Sequence, residues 1–178
     1  GLDFGQDRHD DFSPDGRAAS AALARHTVAE AACLTPQDEV DRVTLTVLNE
    51  RLGLELETHE ARADLLSVNG IASDLHSIRE VYDLMPQSGD DDWAMIARRL
   101  QAVPAAIDGW FGSQQAAVGA GLPLARRQAE WLAEQCRSWA GAGGYFDVLG
   151  DAAGARPASL TAGLSAGLAV AKAAFWAV

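Results

Sequence analysis

Pro104 sits inside the most regular helical pattern of the chain, and it limits what that pattern can build. From Asp90 to Val118, apolar residues recur at three- and four-residue steps: Trp93, Ile96, Leu100, Ile107, Trp110 and Val118. That is the periodicity of a helix with one buried face. A proline within a helix removes a backbone hydrogen bond and drives its ring against the carbonyl four residues earlier, here that of Leu100. It also steers the preceding residue, Val103, out of the helical region. The stretch therefore predicts two helices, or one sharply bent rod, broken near Val103. Gly121-Leu122-Pro123 ends it, and a further helix follows from Leu124 to Ala140 with Ala125, Ala129, Leu132, Cys136 and Trp139 along one face.

The flanking segments read as helices too. Ser13-Pro14 is a good start, with serine as N-cap and proline in the first position; that helix is expected to run to about Leu34, with Ala22, Leu23, His26, Ala29 and Cys33 on its inner side. Thr35-Pro36, followed by Asp38 and Glu39, predicts a second start. The helix it opens is expected to reach about Ala63 and to be a central core helix, because Leu45 and Leu54 widen an apolar seam that includes Val43, Val47, Leu48 and Leu52. Asn69-Gly70 marks a turn. Ser73 is expected to cap a short helix from Asp74 to Met85, with Leu75, Ile78, Tyr82 and Met85 inward. The last helix should occupy Ala158 to Val178, with Leu160, Leu164, Leu168, Ala171 and Phe175 as its stripe. Gly1 to Ser13 reads as loop. The expected fold is all-α, a single domain over 1–178 with six or seven helices and a proline-broken central pair.

Charge excludes some functions. The formal net charge is −11, whereas nucleic acids and anionic membrane surfaces require a basic face. Ala158 to Val178 has the length of a membrane span, and Gly163 and Gly167 have the spacing of membrane helix dimers. Its abundant Ala and Gly and the internal Lys172 read instead as a close-packed helix of a soluble protein. No basic, apolar leader follows Gly1, so the chain reads as cytoplasmic. Cys33 and Cys136 do not make a disulfide framework and are expected to be buried, reduced thiols.

No motif in the chain carries a chemistry. His59-Glu60 begins like a zinc-protease helix, but Ala63 stands where the second histidine ligand is needed. His9, His26 and His76 are not at helical spacing from it. Asp90-Asp91-Asp92 lacks the loop that calcium requires and suits the first turn of a helix. Gly141-Ala142-Gly143-Gly144 follows a helix, whereas a phosphate loop follows a strand. No catalytic, cofactor-binding or metal-ligating residue is therefore assigned, and no zinc is expected in this chain.

Three places give the chain a family likeness: Gly5 with the Asp10-Asp11-Phe12-Ser13-Pro14-Asp15-Gly16 run; Asp41 with Asn49-Glu50-Arg51-Leu52; and Ala97-Arg98-Arg99-Leu100 with Val103-Pro104-Ala105-Ala106-Ile107, then Gly119 and Gln128. In these it resembles the N-terminal part of the bacterial family labelled domain of unknown function 885. The resemblance implies an all-helical protein of several hundred residues, akin to helical zinc peptidases. It places a metal-binding His-Glu run, ending in Pro-Gly-His, in the C-terminal half. Nothing at His59-Glu60 matches that run, so no ligand or catalytic residue carries over. The chain is then expected to be an N-terminal fragment whose partner is the C-terminal half, where zinc would bind. The stripe of the last helix, ending Phe175-Trp176-Ala177-Val178, is expected to need that partner or to drive self-association. The alternative is a free-standing helical interaction module without catalysis.

Overall fold

The structure, a computed structural model, describes Gly5 and residues 7–178. The part of the expected N-terminal loop formed by residues 1–4 and 6 lies outside the described residues. The architecture is all-α, with no strand among the described residues. The helices are α1 (Pro14–Ala31), α2 (Glu39–Glu60), α3 (Asp74–Leu84), α4 (Asp90–Gln101), α5 (Val103–Gly119), α6 (Arg126–Ala140), α7 (Tyr145–Ala152) and α8 (Ala158–Trp176), with one 3-10 turn at Ala63–Leu65. Seven are long rods; the eighth, α7, is a short helix inside the Gly-rich segment.

Local chemistry sets the helix starts. The Ser13 hydroxyl accepts from Gly16 N at 3.2 Å, with Pro14 in the first position. The start of α2 lies later than expected: Asp38, not Thr35, is the cap, and its carboxylate accepts from Asp41 N at 2.9 Å. A carboxylate both caps and complements the helix dipole. Ser73 caps α3 with an unusual partner, since its backbone N donates to Nδ1 of the buried His76 at 3.1 Å. The Asp90-Asp91-Asp92 run also serves a helix start: Asp92 Oδ2 accepts from Ser88 N and Gly89 N at 2.9 and 3.0 Å, and Asp90 pairs with Arg156.

The break between α4 and α5 falls at Ala102, which retains helical dihedrals, φ −85° and ψ −9°, and Val103 opens α5 as a helical residue, contrary to the expectation that Pro104 steers it out of the helical region. Pro104 thus lies in the first turn of α5, where its missing N–H costs least. Trp93, Ile96, Leu100 and Val103 are fully buried, and Ile107 and Trp110 nearly so. Val118, on the same expected seam, is exposed while its neighbour Ala117 is fully buried, so the inward face of α5 passes through Ala117 instead.

The core forms where α8 lies along α4, with α5, α6 and α7 closing around α8. The approach is close at Gly167: a Cβ there would sit 2.9 Å from both the Ala97 carbonyl oxygen and Leu100 Cβ. Phe146, Phe175 and Trp139 form an aromatic cluster beside it, with ring centroids 5.2 and 5.8 Å from Phe175. The stripe of α8 is therefore covered within this chain. Phe175 and Ala171 are fully buried and Leu164 nearly so, contrary to the expectation that this stripe lacks a cover; of the apolar end, Trp176 alone among its large side chains is exposed. Among the described residues α8 is also the one helix long and apolar enough to cross a membrane.

Two further expectations fail on α1 and α2. No residue of α2 is buried, and Leu48 is only half-buried, so α2 is not a core helix. Its seam is apolar, but only α1 and the 3-10 turn pack on it to any extent. On α1 the buried residues are Gly16, Ala21, Ala24 and Ala31, whereas Ala22, Leu23, His26 and Ala29 are exposed. Alanine occurs all around this helix, so periodicity does not mark which side faces inward. Cys33, expected to be buried, lies just beyond the end of α1 and is exposed, whereas Cys136 is buried; both are free thiols. Burial pushes the Cys136 thiol up to about 12.

Candidate functional site: the trough along α1 and α2

The uncovered side of the α1–α2 hairpin is concave. Leu23, Ala24 and Thr27 from α1 face Val43, Val47 and Leu52 from α2 across a groove of about 820 Å³. Thr27 lies three and four positions from Ala24 and Leu23, and Val47 four from Val43, so each helix presents one side. The groove runs into a more polar end of about 470 Å³, where Arg17, Arg51, Glu55, His59 and Asp64 converge. Ser20, Arg51 and Glu55 line both, which makes the two parts one trough.

The polar end is built by the turn that closes α2. Arg62 adopts φ 58° and ψ 16°. A non-glycine residue in that left-handed region carries a conformational cost. The reversal brings Asp64 back to His59, five residues earlier, and Asp64 Oδ2 lies 2.7 Å from His59 Nδ1. The other oxygen, Oδ1, is buried without a hydrogen-bond partner. Arg17 reaches across from α1 to pair with Asp74 at the start of α3. Burial pushes the Asp74 carboxyl above its usual range, against the opposing pull of Arg17.

A polar strip on α5 holds the surrounding loops. Ser113 Oγ donates to the Phe12 carbonyl at 2.6 Å, and Gln114 Nε2 donates to the Leu65 carbonyl at 2.9 Å. Trp110 Nε1 donates to the Ser67 carbonyl at 3.0 Å. Ser113 and Gln114 are buried, and a buried polar group needs such partners. These residues were not singled out from the sequence, where Ser113 and Gln114 stand beside Gln115 with nothing to mark which of them face inward.

The histidines are dispersed, as their spacing implied. His59 and Asp64 line the trough and also an adjoining cleft, which Glu60, Arg62 and Ala116 share. His26 is exposed and lies 3.3 Å from Glu30 on its own helix, rather than partly buried. His76 caps α3. Among the described residues no group of three or more His, Cys, Asp or Glu could hold a metal ion. A zinc site needs three or four converging ligands, so the described residues do not fit one. The His59–Asp64 pair fixes one ring nitrogen and leaves Nε2 to act as acceptor or donor toward whatever enters the trough. Gly141 to Gly144 forms a turn, not an anion cradle: Gly143 N donates to Asp147 Oδ2 at 2.9 Å, and Asp147 also pairs with Lys172.

His9 has a consequence away from the trough. Its Nε2 is 3.1 Å from the Tyr82 hydroxyl. Burial, helped by the nearby Arg99 charge, lowers its pKa to about 4 from 6.5. Between those values the unfolded chain binds a proton that the folded chain refuses, so stability falls as pH drops from 6.5 toward 4. The loss expected by pH 5 is about 2 kcal/mol, and burial of His76 acts in the same direction. Urea unfolding at pH 7 and pH 5 checks this. His9→Gln should flatten the pH dependence; an unchanged slope would show that His9 is not its source.

A family model described as bacterial protein of unknown function (DUF885) matches residues 1–177 of the chain. No curated protein matches it.

Proposed function

Because the chain belongs to this bacterial family of unknown function, DUF885, we propose that it is the helical scaffold and cleft-wall portion of a metal-dependent, peptidase-like hydrolase. The observation that carries the reading is α2: a helix of 22 residues with no buried residue, whose Val43 and Val47 are about half exposed beside the apolar groove. Such a surface marks a place where another structure packs. The partner in this reading is the C-terminal half of the parent protein. In this reading that half holds the zinc, and this chain supplies the wall and the polar end of the trough. The rigid core of α4, α5 and α8 holds the hairpin through the contact of α1 with α5.

The test is to add the C-terminal half of the parent protein in trans. A ligand that binds only the folded state stabilises it, by about 2.7 kcal/mol at a hundredfold excess over Kd. The expected result is a stable complex and a raised melting temperature for this chain. No complex, together with capture of an unrelated protein through the groove, would favour the free-standing interaction module, a reading supported by the groove alone.

A further inference from the structure

We propose that the groove between α1 and α2 seats a basic amphipathic α-helix. This rests on the reading of the α1–α2 face as a docking surface and specifies the chemistry of its occupant. The first argument is shape. The lining of α2 runs from Val43 to Glu55, which at the helical rise is about 18 Å, or roughly three turns. The groove is open along its length and apolar on its walls, as required for a helix anchored at positions i, i+3, i+4 and i+7.

The second argument is charge. From Asp38 to Glu60 the chain carries seven carboxylates against two arginines. One of those, Arg42, is already held by Glu39 on its own helix. Arg51 and Glu55 line the groove and offset each other, and at its polar end Arg17 and Asp64 are already paired with Asp74 and His59, so the excess negative charge is that of α2 as a whole. Apolar anchors would fill the groove while Arg or Lys side chains flank it and meet this acidic surface. Complementary potentials of this kind set specificity and speed association. A second copy of the chain is the poorer occupant. Pairing two copies through this face would oppose two acidic α2 helices, in a chain whose net charge is already −11, and like charges across an interface are unfavourable.

Two fluorescent helical peptides of about 14 residues test this. Both carry Leu at three- and four-residue spacing; one has Arg at the flanking positions, and its twin has Glu there. Binding to the 178-residue chain is read by anisotropy. The Arg peptide should bind about tenfold more tightly than the Glu peptide at low salt, and the preference should shrink at about 0.5 M salt. Val47→Asp should weaken the Arg peptide about tenfold. Val47 is 48% exposed, so the variant should fold, and an unchanged melting temperature confirms that. Glu55→Lys is the second variant and should narrow the preference for Arg over Glu.

Equal binding of the twins, no binding of either, or indifference to Val47→Asp would overturn the proposal. So would sedimentation showing a dimer that Val47→Asp dissolves, which would identify a second copy as the occupant. The two readings can fail separately. If the C-terminal half binds wild type and Val47→Asp alike, domain packing stands and the groove assignment falls. If the Arg peptide binds and the C-terminal half does not, the groove stands and the scaffold reading falls.

Discussion

Truncating Leu100 to Ala should lower the unfolding free energy by about 2–5 kcal/mol, the usual cost of removing a buried leucine and leaving a cavity. Leu100 is fully buried at the meeting of α4 and α8, with Gly167 pressed against it. Neighbours so closely packed have little room to collapse into the space. Leu48→Ala should cost about 1 kcal/mol or less, in the range of substitutions outside the core, because Leu48 is half-buried in the open trough. Urea midpoints of the two variants make the comparison. Equal losses would mean that α2 is as well covered as α4, contrary to the fold described.

Gly167→Leu should be still more disruptive to the fold, costing about 3 kcal/mol or more, at or beyond the upper end of typical overpacking. Even the first added carbon would lie 2.9 Å from the Ala97 carbonyl oxygen and from Leu100 Cβ. A backbone oxygen cannot swing away as the end of a long side chain can, so α8 would have to move off α4. Gly163 is the internal control, since a Cβ there meets nothing within 4 Å. Gly163→Ala should be neutral or slightly stabilising, because alanine favours the helix. Thermal unfolding of the two variants checks this; a Gly167→Leu protein that melts with the wild type would refute the close crossing.

Much of the core was legible in the chain. Trp93, Ile96, Leu100, Ile107 and Trp110 stand at helical spacing and are buried, and so do Leu75, Ile78, Tyr82 and Met85. These are large apolar side chains at helical spacing, and on α3 and α4 the opposite side is polar, so the pattern and the burial agree. The trough was much less legible. His59 was visible as a candidate, but Asp64 came within 2.7 Å of it only through the reversal at Arg62. Neither that left-handed residue nor the Gln114 contacts that pin the loop have a reliable signature, because they depend on what lies across from them.

By itself the sequence determined an all-α chain, the position of the central break, the starts of α1 and α3 and the inner faces of α3, α4 and the first part of α5. Those follow from short-range physics: backbone sterics at Pro104, capping by Ser13 and Ser73, and apolar periodicity within one helix. Only the tertiary structure decided which apolar faces are covered. The seam of α2 and the stripe of α8 both read as surfaces to be buried, yet α8 closes on α4 while α2 remains open along the groove. An apolar stripe records that burial would be favourable in proportion to its area. It does not record which helix arrives to provide it, because that depends on where the chain's other helices are free to pack.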